Sequence, residues 1–131
     1  MKIFIDTSAF LGLIDSNDLF FEKASVIFKD IANTENSLYC SNYIILETIV
    51  ILQKRIGLDS VEVFNNDILP VTNAIFIDKQ IHDLCLNHLF ILKKKDISFV
   101  DLTSFELMRK LGIKKAFTFD KHFRQFGFEV I

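Results

Sequence analysis

The sequence predicts an α/β fold in which a parallel sheet carries helices on both faces. Short apolar runs recur along the chain, the first being KIFI at residues 2–5, and stretches of helical periodicity separate them. The first run is continuous rather than alternating, which suits a strand buried on both sides. Only four Gly and one Pro interrupt the chain, so regular structure with short loops should dominate. At 131 residues, half of them hydrophobic, residues 1–131 are expected to form a single domain with a real core.

Residues 2–5 read as the first strand. Thr7 or Ser8 caps a short helix over residues 9–14. Asn17 or Asp18 starts a second over residues 19–32, where Leu19, Phe20, Ala24, Ile27, Phe28 and Ile31 recur at helical spacing. Residues 37–40 form a second strand, and Ser41 or Asn42 caps a helix to Arg55 that ends at Gly57. Asp59 or Ser60 opens a short helix toward Asn65. Residues 68–71 read as a third strand, with Pro70 placing it at an edge. A long helical stretch follows Thr72 or Asn73 and ends at Lys93, Lys94 and Lys95, cations suited to a helix C-terminus. Ser98 opens a helix through Leu111 that stops at Gly112. Residues 115–119 and 128–131 supply the fourth and fifth strands.

Composition narrows the class. Cys40 and Cys85 form no C-x-x-C, as expected of buried reduced thiols. Only three apolar residues separate Lys2 from Asp6, so no secretory signal is expected. The greasiest run, residues 44–52, is too short to span a bilayer and has Glu47 near its centre. A soluble, cytoplasmic protein with no membrane partner is the expectation. Net charge is −2, yet residues 1–92 hold −6 and residues 93–131 hold +4. The basic third can face phosphates or simply face water.

Four acids stand out by position. Asp6 follows the first strand and Asp120 the fourth, where open α/β sheets place ligands. Glu47 has Tyr43, Ile44, Val50 and Ile51 as its helical neighbours, and a carboxylate on such a face costs several kcal/mol unless compensated. A bound cation compensates it; so would a place at the rim of the core, reaching water or Lys54. Asp101 in Ser98-Phe99-Val100-Asp101 fits a capping box, and it also starts a helix beside the sheet's carboxyl edge. Taken together, converging carboxylates repel one another unless a divalent cation neutralises them, and an all-oxygen set favours Mg²⁺ or Mn²⁺ over zinc. Thr7, Ser8, Thr103 and Thr118 are hydroxyls beside these acids.

Other phosphate chemistry is absent: there is no G-x-G-x-x-G, no Walker loop and no G-x-S-x-G elbow. His82 and His88 lack metal-ligand spacing and read as structural or surface residues. His122 differs in sitting beside Asp120, between Lys121 and Arg124.

With Asp6-Thr7-Ser8, Glu47, Ser98-Phe99-Val100-Asp101 and Thr118-Phe119-Asp120-Lys121-His122-Phe123 in this order along essentially the whole chain, the sequence resembles the PIN-domain family, in particular its VapC-type toxin ribonucleases. The resemblance implies a three-layer α/β/α sandwich around a central, mainly parallel sheet of about five strands. It also implies endonucleolytic cleavage of RNA at a Mg²⁺ or Mn²⁺ site. On the matching positions, Asp6, Glu47 and Asp101 are the core metal-site acids and Asp120 the more variable fourth, all four catalytic. Thr7, Ser8 and Thr118 support them. Arg109, Lys121 and Arg124, with Lys114 and Lys115, are candidates for the RNA backbone. A cognate antitoxin and a homodimer are the implied partners. Leu102 stands where the family commonly has a small residue, and Met108 where it often has Ala. Three rivals use the same acids: a housekeeping RNA-processing nuclease, a non-catalytic RNA-binding scaffold, and a receiver-like signalling module. The last carries an acidic pair where this chain has Asp6 followed by Thr7.

Overall fold

The structure is a computed structural model and describes residues 1–32 and 35–131. Strand β1 (Lys2–Ile5) leads into α1 (Thr7–Ile14) and α2 (Phe21–Ala32). Then come β2 (Ser37–Ser41), α3 (Asn42–Arg55), α4 (Leu58–Val63), β3 (Asn73–Ile75), α5 (Lys79–Leu92) and α6 (Phe99–Leu111). The chain closes with β4 (Lys115–Phe117), α7 (His122–Gln125) and β5 (Glu129–Val130).

Every strand pairing is parallel, and the sheet order is β3-β2-β1-β4-β5. The chain therefore winds outward from β1 in one direction, then crosses back and winds outward in the other. Right-handed crossovers running in opposite directions place their helices on opposite faces, which gives the three layers. The helices pack accordingly, α1 on α2 and α3, α3 on α4, and α5 on α6. Receiver-like modules use the order 2-1-3-4-5, so the topology rules out that alternative.

The core follows from the apolar runs. Ile3, Phe4 and Ile5 of β1 and Ala116 and Phe117 of β4 are sealed from solvent on both faces of the sheet. On α6, Phe105 stacks on Phe126 at 4.6 Å and Phe128 at 5.5 Å and meets Phe123 edge-on at 4.9 Å. Leu102 and Met108 of the same helix are buried, so the larger residues at these two positions fill core volume. Between α1 and α2 the backbones approach closely: a Cβ on Gly12 would fall 3.1 Å from the Ala24 Cβ.

The third strand is displaced from its expected place. Residues 68–71 are not extended; a π-type turn over Phe64–Ile68 runs into a 3-10 turn over Leu69–Val71, with Pro70 in its first turn. Pro lacks the N–H that a ladder needs but suits the start of a helical turn. The strand is Asn73–Ile75 instead, tied to β2 by the Asn73 Nδ2 donating to the Leu38 carbonyl at 3.0 Å. Consequently α5 starts only at Lys79, with the Asp78 carboxylate accepting from the Ile81 N–H. Asp6, rather than Thr7 or Ser8, caps α1, and the second helix starts at Phe21 rather than Leu19. Strand β4 stops at Phe117, so Thr118 and Phe119 lie beyond it.

Replacing Phe105 with Ala is expected to lower the unfolding free energy by about 3–5 kcal/mol, read from urea denaturation at unchanged slope. A loss below about 1 kcal/mol would show that the aromatic cluster does not hold α6 on the sheet.

Candidate active site

Order reversal at β1 opens a crevice beyond the carboxyl ends of β1 and β4, the place where such sheets bind ligands. The β1–β4 ladder runs up to it: the Asp6 N–H donates to the Phe117 carbonyl at 3.1 Å. Asp6 is then fixed by one of its two oxygens. Oδ2 accepts from Ser8 Oγ at 2.8 Å and Thr118 Oγ1 at 2.9 Å, and more weakly from the Ser8 N–H at 3.4 Å. Each hydroxyl accepts in turn, Ser8 Oγ from the Phe119 N–H at 2.9 Å and Thr118 Oγ1 from the Asp120 N–H at 3.0 Å. The two hydroxyls thus lace the start of α1 to the end of β4.

Asp101 arrives from α6. Ser98 Oγ accepts the Asp101 N–H at 3.0 Å, and Asp101 Oδ2 accepts the Ser98 N–H at 3.2 Å, a complete capping box. Capping and a place in the site coexist, because the cap uses one oxygen. Asp120 follows the same rule, its Oδ1 accepting the His122 N–H at 2.9 Å. Among the described residues, Asp6 Oδ1, Asp101 Oδ1 and Asp120 Oδ2 make no hydrogen bond. Asp101, Asp120 and His122 each offer a ligating atom, all within 4.8 Å of one another.

Electrostatics reflect this crowding. Burial pushes the Asp6 carboxyl up to about 6; the charges of Asp101 and Asp120 add to the shift, and the Ser8 and Thr118 hydroxyls oppose it. Burial likewise raises Asp101, with Asp120 adding. The hydrogen bond from His122 Nε2 to Asp96 Oδ2, 3.0 Å long, raises the imidazole and lowers Asp96. Thr7 Oγ1 is buried beside Asp6 without a partner among the described residues. The clustered ligand atoms of Asp101, Asp120 and His122, with Asp6 raised in part by the charges of the two acids, fit a divalent cation.

Glu47 stands apart from this cluster. It lines an adjoining apolar groove with Tyr43, Ile51, His82, Phe99 and Val100, and makes no hydrogen bond or ion pair among the described residues, with Lys54 or otherwise. The groove meets the site at α6, where Phe99 and Val100 directly precede Asp101. Lys121 and Arg124 flank Asp120 in a second hollow with Lys23, Phe20 and Phe119, and the two Phe rings stack 4.3 Å apart and 3° from parallel. Arg109 is not brought there; it lies in the last turn of α6 with its guanidinium over the Phe128 ring. Lys115 pairs with Glu129. Thr103 spends its hydroxyl on the Val100 carbonyl. Asp96 and the Phe20–Phe119 pair escape the sequence reading, since both join residues far apart in the chain.

The PIN domain family model matches residues 3–129. The chain belongs to the PIN-domain family. It is 29% identical to a 23S rRNA-specific endonuclease, VapC20 of Mycobacterium tuberculosis, over 96% of this chain and 95% of that one. The crystal structure of that protein, a sarcin-ricin loop cleaving toxin, superimposes with a TM-score of 0.86 at 28% identity, covering 96% and 95% of the two chains. Two more distant structures share the fold. FitAcB of Neisseria gonorrhoeae gives a TM-score of 0.70 at 15% identity over 98% of this chain and 96% of that one. VapBC2 of Rickettsia felis, bound to a promoter DNA fragment, gives 0.74 at 12% over 100% and 98%. PIN nucleases generally use a divalent metal, and the acidic cluster of this PIN domain is a candidate place for one.

The raised Asp6 carboxyl sets a pH dependence. Folding disfavours its ionised form, so the cost is absent below the unfolded value of 3.8 and complete above about 6. A rise of that size corresponds to about 3 kcal/mol. A divalent cation offsets this cost, so Mg²⁺ should raise the melting temperature more at about pH 7.5 than near pH 5. Equal stabilisation at both would show that the acids do not share an ion.

Proposed function

We propose that this PIN domain is a divalent-cation-dependent endoribonuclease of the cytoplasm, the toxin of a toxin–antitoxin pair. Asp6, Asp101 and Asp120 would hold Mg²⁺ or Mn²⁺, and Glu47, in the adjoining groove of α3, is the fourth acid that would reach the ion from the groove side. The observation that carries this reading is the division of labour within each carboxylate, one oxygen fixed by the fold and the other left open. A scaffold that only bound RNA would gain nothing from keeping three mutually repelling acids oriented this way.

The bound cation supplies charge stabilisation at phosphorus. The chain does the rest. Ser8 and Thr118 hold the Asp6 carboxylate at a fixed angle, and the capping box does the same for Asp101. Lys121, Arg124 and Lys23 face the phosphates on the Asp120 side, and the Phe20–Phe119 stack offers an aromatic surface to unpaired bases. The related enzyme's substrate makes a loop in ribosomal RNA the first one to test. Leu46 and Val50 by the Glu47 groove, and Phe90 and Ile91 on α5, are each more than half exposed. Apolar surface of that kind supports protein partners, an antitoxin and a second copy of this chain. Among the described residues no helix is long and apolar enough to cross a membrane.

Total RNA incubated with Mg²⁺, Mn²⁺ or chelator, with the cut sites mapped, tests the reading directly. Asp101→Asn keeps a cap acceptor but removes the charge, so it should fold normally and lose about a hundredfold or more in cleavage. Full activity in that variant would sink the assignment. Replacing Lys121 and Arg124 with Ala should weaken RNA binding and lower the slope of log K against log salt by about one for each cation removed. An unchanged slope would remove them from the RNA path.

A further inference from the structure

We propose that His122 is a nitrogen ligand of this acidic site and that it biases the site toward Mn²⁺ over Mg²⁺. The inference rests on the nuclease reading in taking Asp101 and Asp120 as cation ligands. His122 is 6% exposed, and its two ring nitrogens are treated differently. Nε2 lies 3.0 Å from Asp96 Oδ2, a hydrogen bond that fixes the N–H on that side. Nδ1 is buried 2.7 Å from Asp120 Oδ1, an ion pair when the ring is protonated, but without the alignment of a hydrogen bond. Either a proton or a cation lies between these two atoms, and a divalent cation takes the proton's place when it binds. The spacing is close to the edge of an octahedron with bonds of about 2.1 Å, which is about 3 Å.

Asp96, His122 and the site thus form a carboxylate–histidine–cation arrangement, in which the outer carboxylate selects the tautomer and aims the free lone pair. Ligation requires a neutral ring, and an arriving divalent cation displaces any proton at Nδ1. An imidazole nitrogen added to carboxylate oxygens suits a first-row transition ion better than Mg²⁺, which prefers oxygen and water.

Pulsed electron paramagnetic resonance on the full chain loaded with Mn²⁺ reads this without any activity measurement. The native protein should show nitrogen modulation on the Mn²⁺ signal, and His122→Gln should lose it. Asp96→Asn leaves Nδ1 in place but loosens the ring, and should weaken Mn²⁺ binding by about tenfold to a hundredfold, with Mg²⁺ binding changed less. These two readings decide the matter even if His122→Gln fails a circular-dichroism test of folding. Bound Mn²⁺ that depends on Asp101 but shows no nitrogen modulation would overturn the role of His122 and leave the nuclease reading standing. Mn²⁺ that fails to bind, or binds equally to Asp101→Asn, would overturn both.

Discussion

Burial of like-charged carboxyls at the crossing point of a parallel sheet is the constraint around which this molecule is organised. Asp6, Asp101 and Asp120 come from a strand end, a helix start and a loop after a strand; Asp101 and Asp120 add to the burial that raises Asp6, and Asp120 adds to the burial that raises Asp101. Hydrogen bonds to a carboxylate favour its charged form. Three such bonds on Asp6, the capping box on Asp101 and the backbone N–H on Asp120 therefore offset part of the repulsion while fixing the geometry. Of the acids so fixed, Asp101 and Asp120 bring ligating oxygens within 4.8 Å of each other and of His122. Rigidity and ligand capacity here come from the same few side chains.

Sheet order makes this arrangement available. With β1 central and β4 at its side, the residues after both strands share an edge, and the ladder bond from Asp6 to Phe117 extends the sheet to the site itself. Thr118 then ties β4 to β1 through Asp6 rather than through backbone. Beneath, Phe105 and its aromatic neighbours hold α6, and with it Asp101, against the sheet. Core packing and site geometry are thus coupled through one helix.

Much of this was legible in sequence because its signals are local. An Asp directly after KIFI, another after a short apolar strand, and a Ser-x-x-Asp at a helix start each declare a place on the sheet's carboxyl edge. Glu47 was legible as an anomaly, a carboxylate among apolar neighbours, and it does line an apolar groove. What sequence did not reveal has a different character. The third strand was misplaced because its three residues sit at an edge with little burial, whereas the apolar residues before it pack as helical turns. Asp96 carries no local signal, because its partner His122 lies 26 residues away. Arg109 read as part of a basic third, yet a helix carries it away from Asp101 and lays it on Phe128. Charge sums over a segment do not say which face each residue takes.

The edges of the sheet bear on how this protein can meet others. β3 has three residues and β5 has two. Unpaired backbone that short gives an incoming strand almost no ladder to join, and Glu129 at one edge adds a charge against stacking. Strand addition is thereby disfavoured as a route of assembly, for proper partners and for aggregation alike. The helical faces are then the larger surfaces open to a companion, where recognition rests on side-chain shape rather than on main-chain pairing, which almost any extended peptide could imitate.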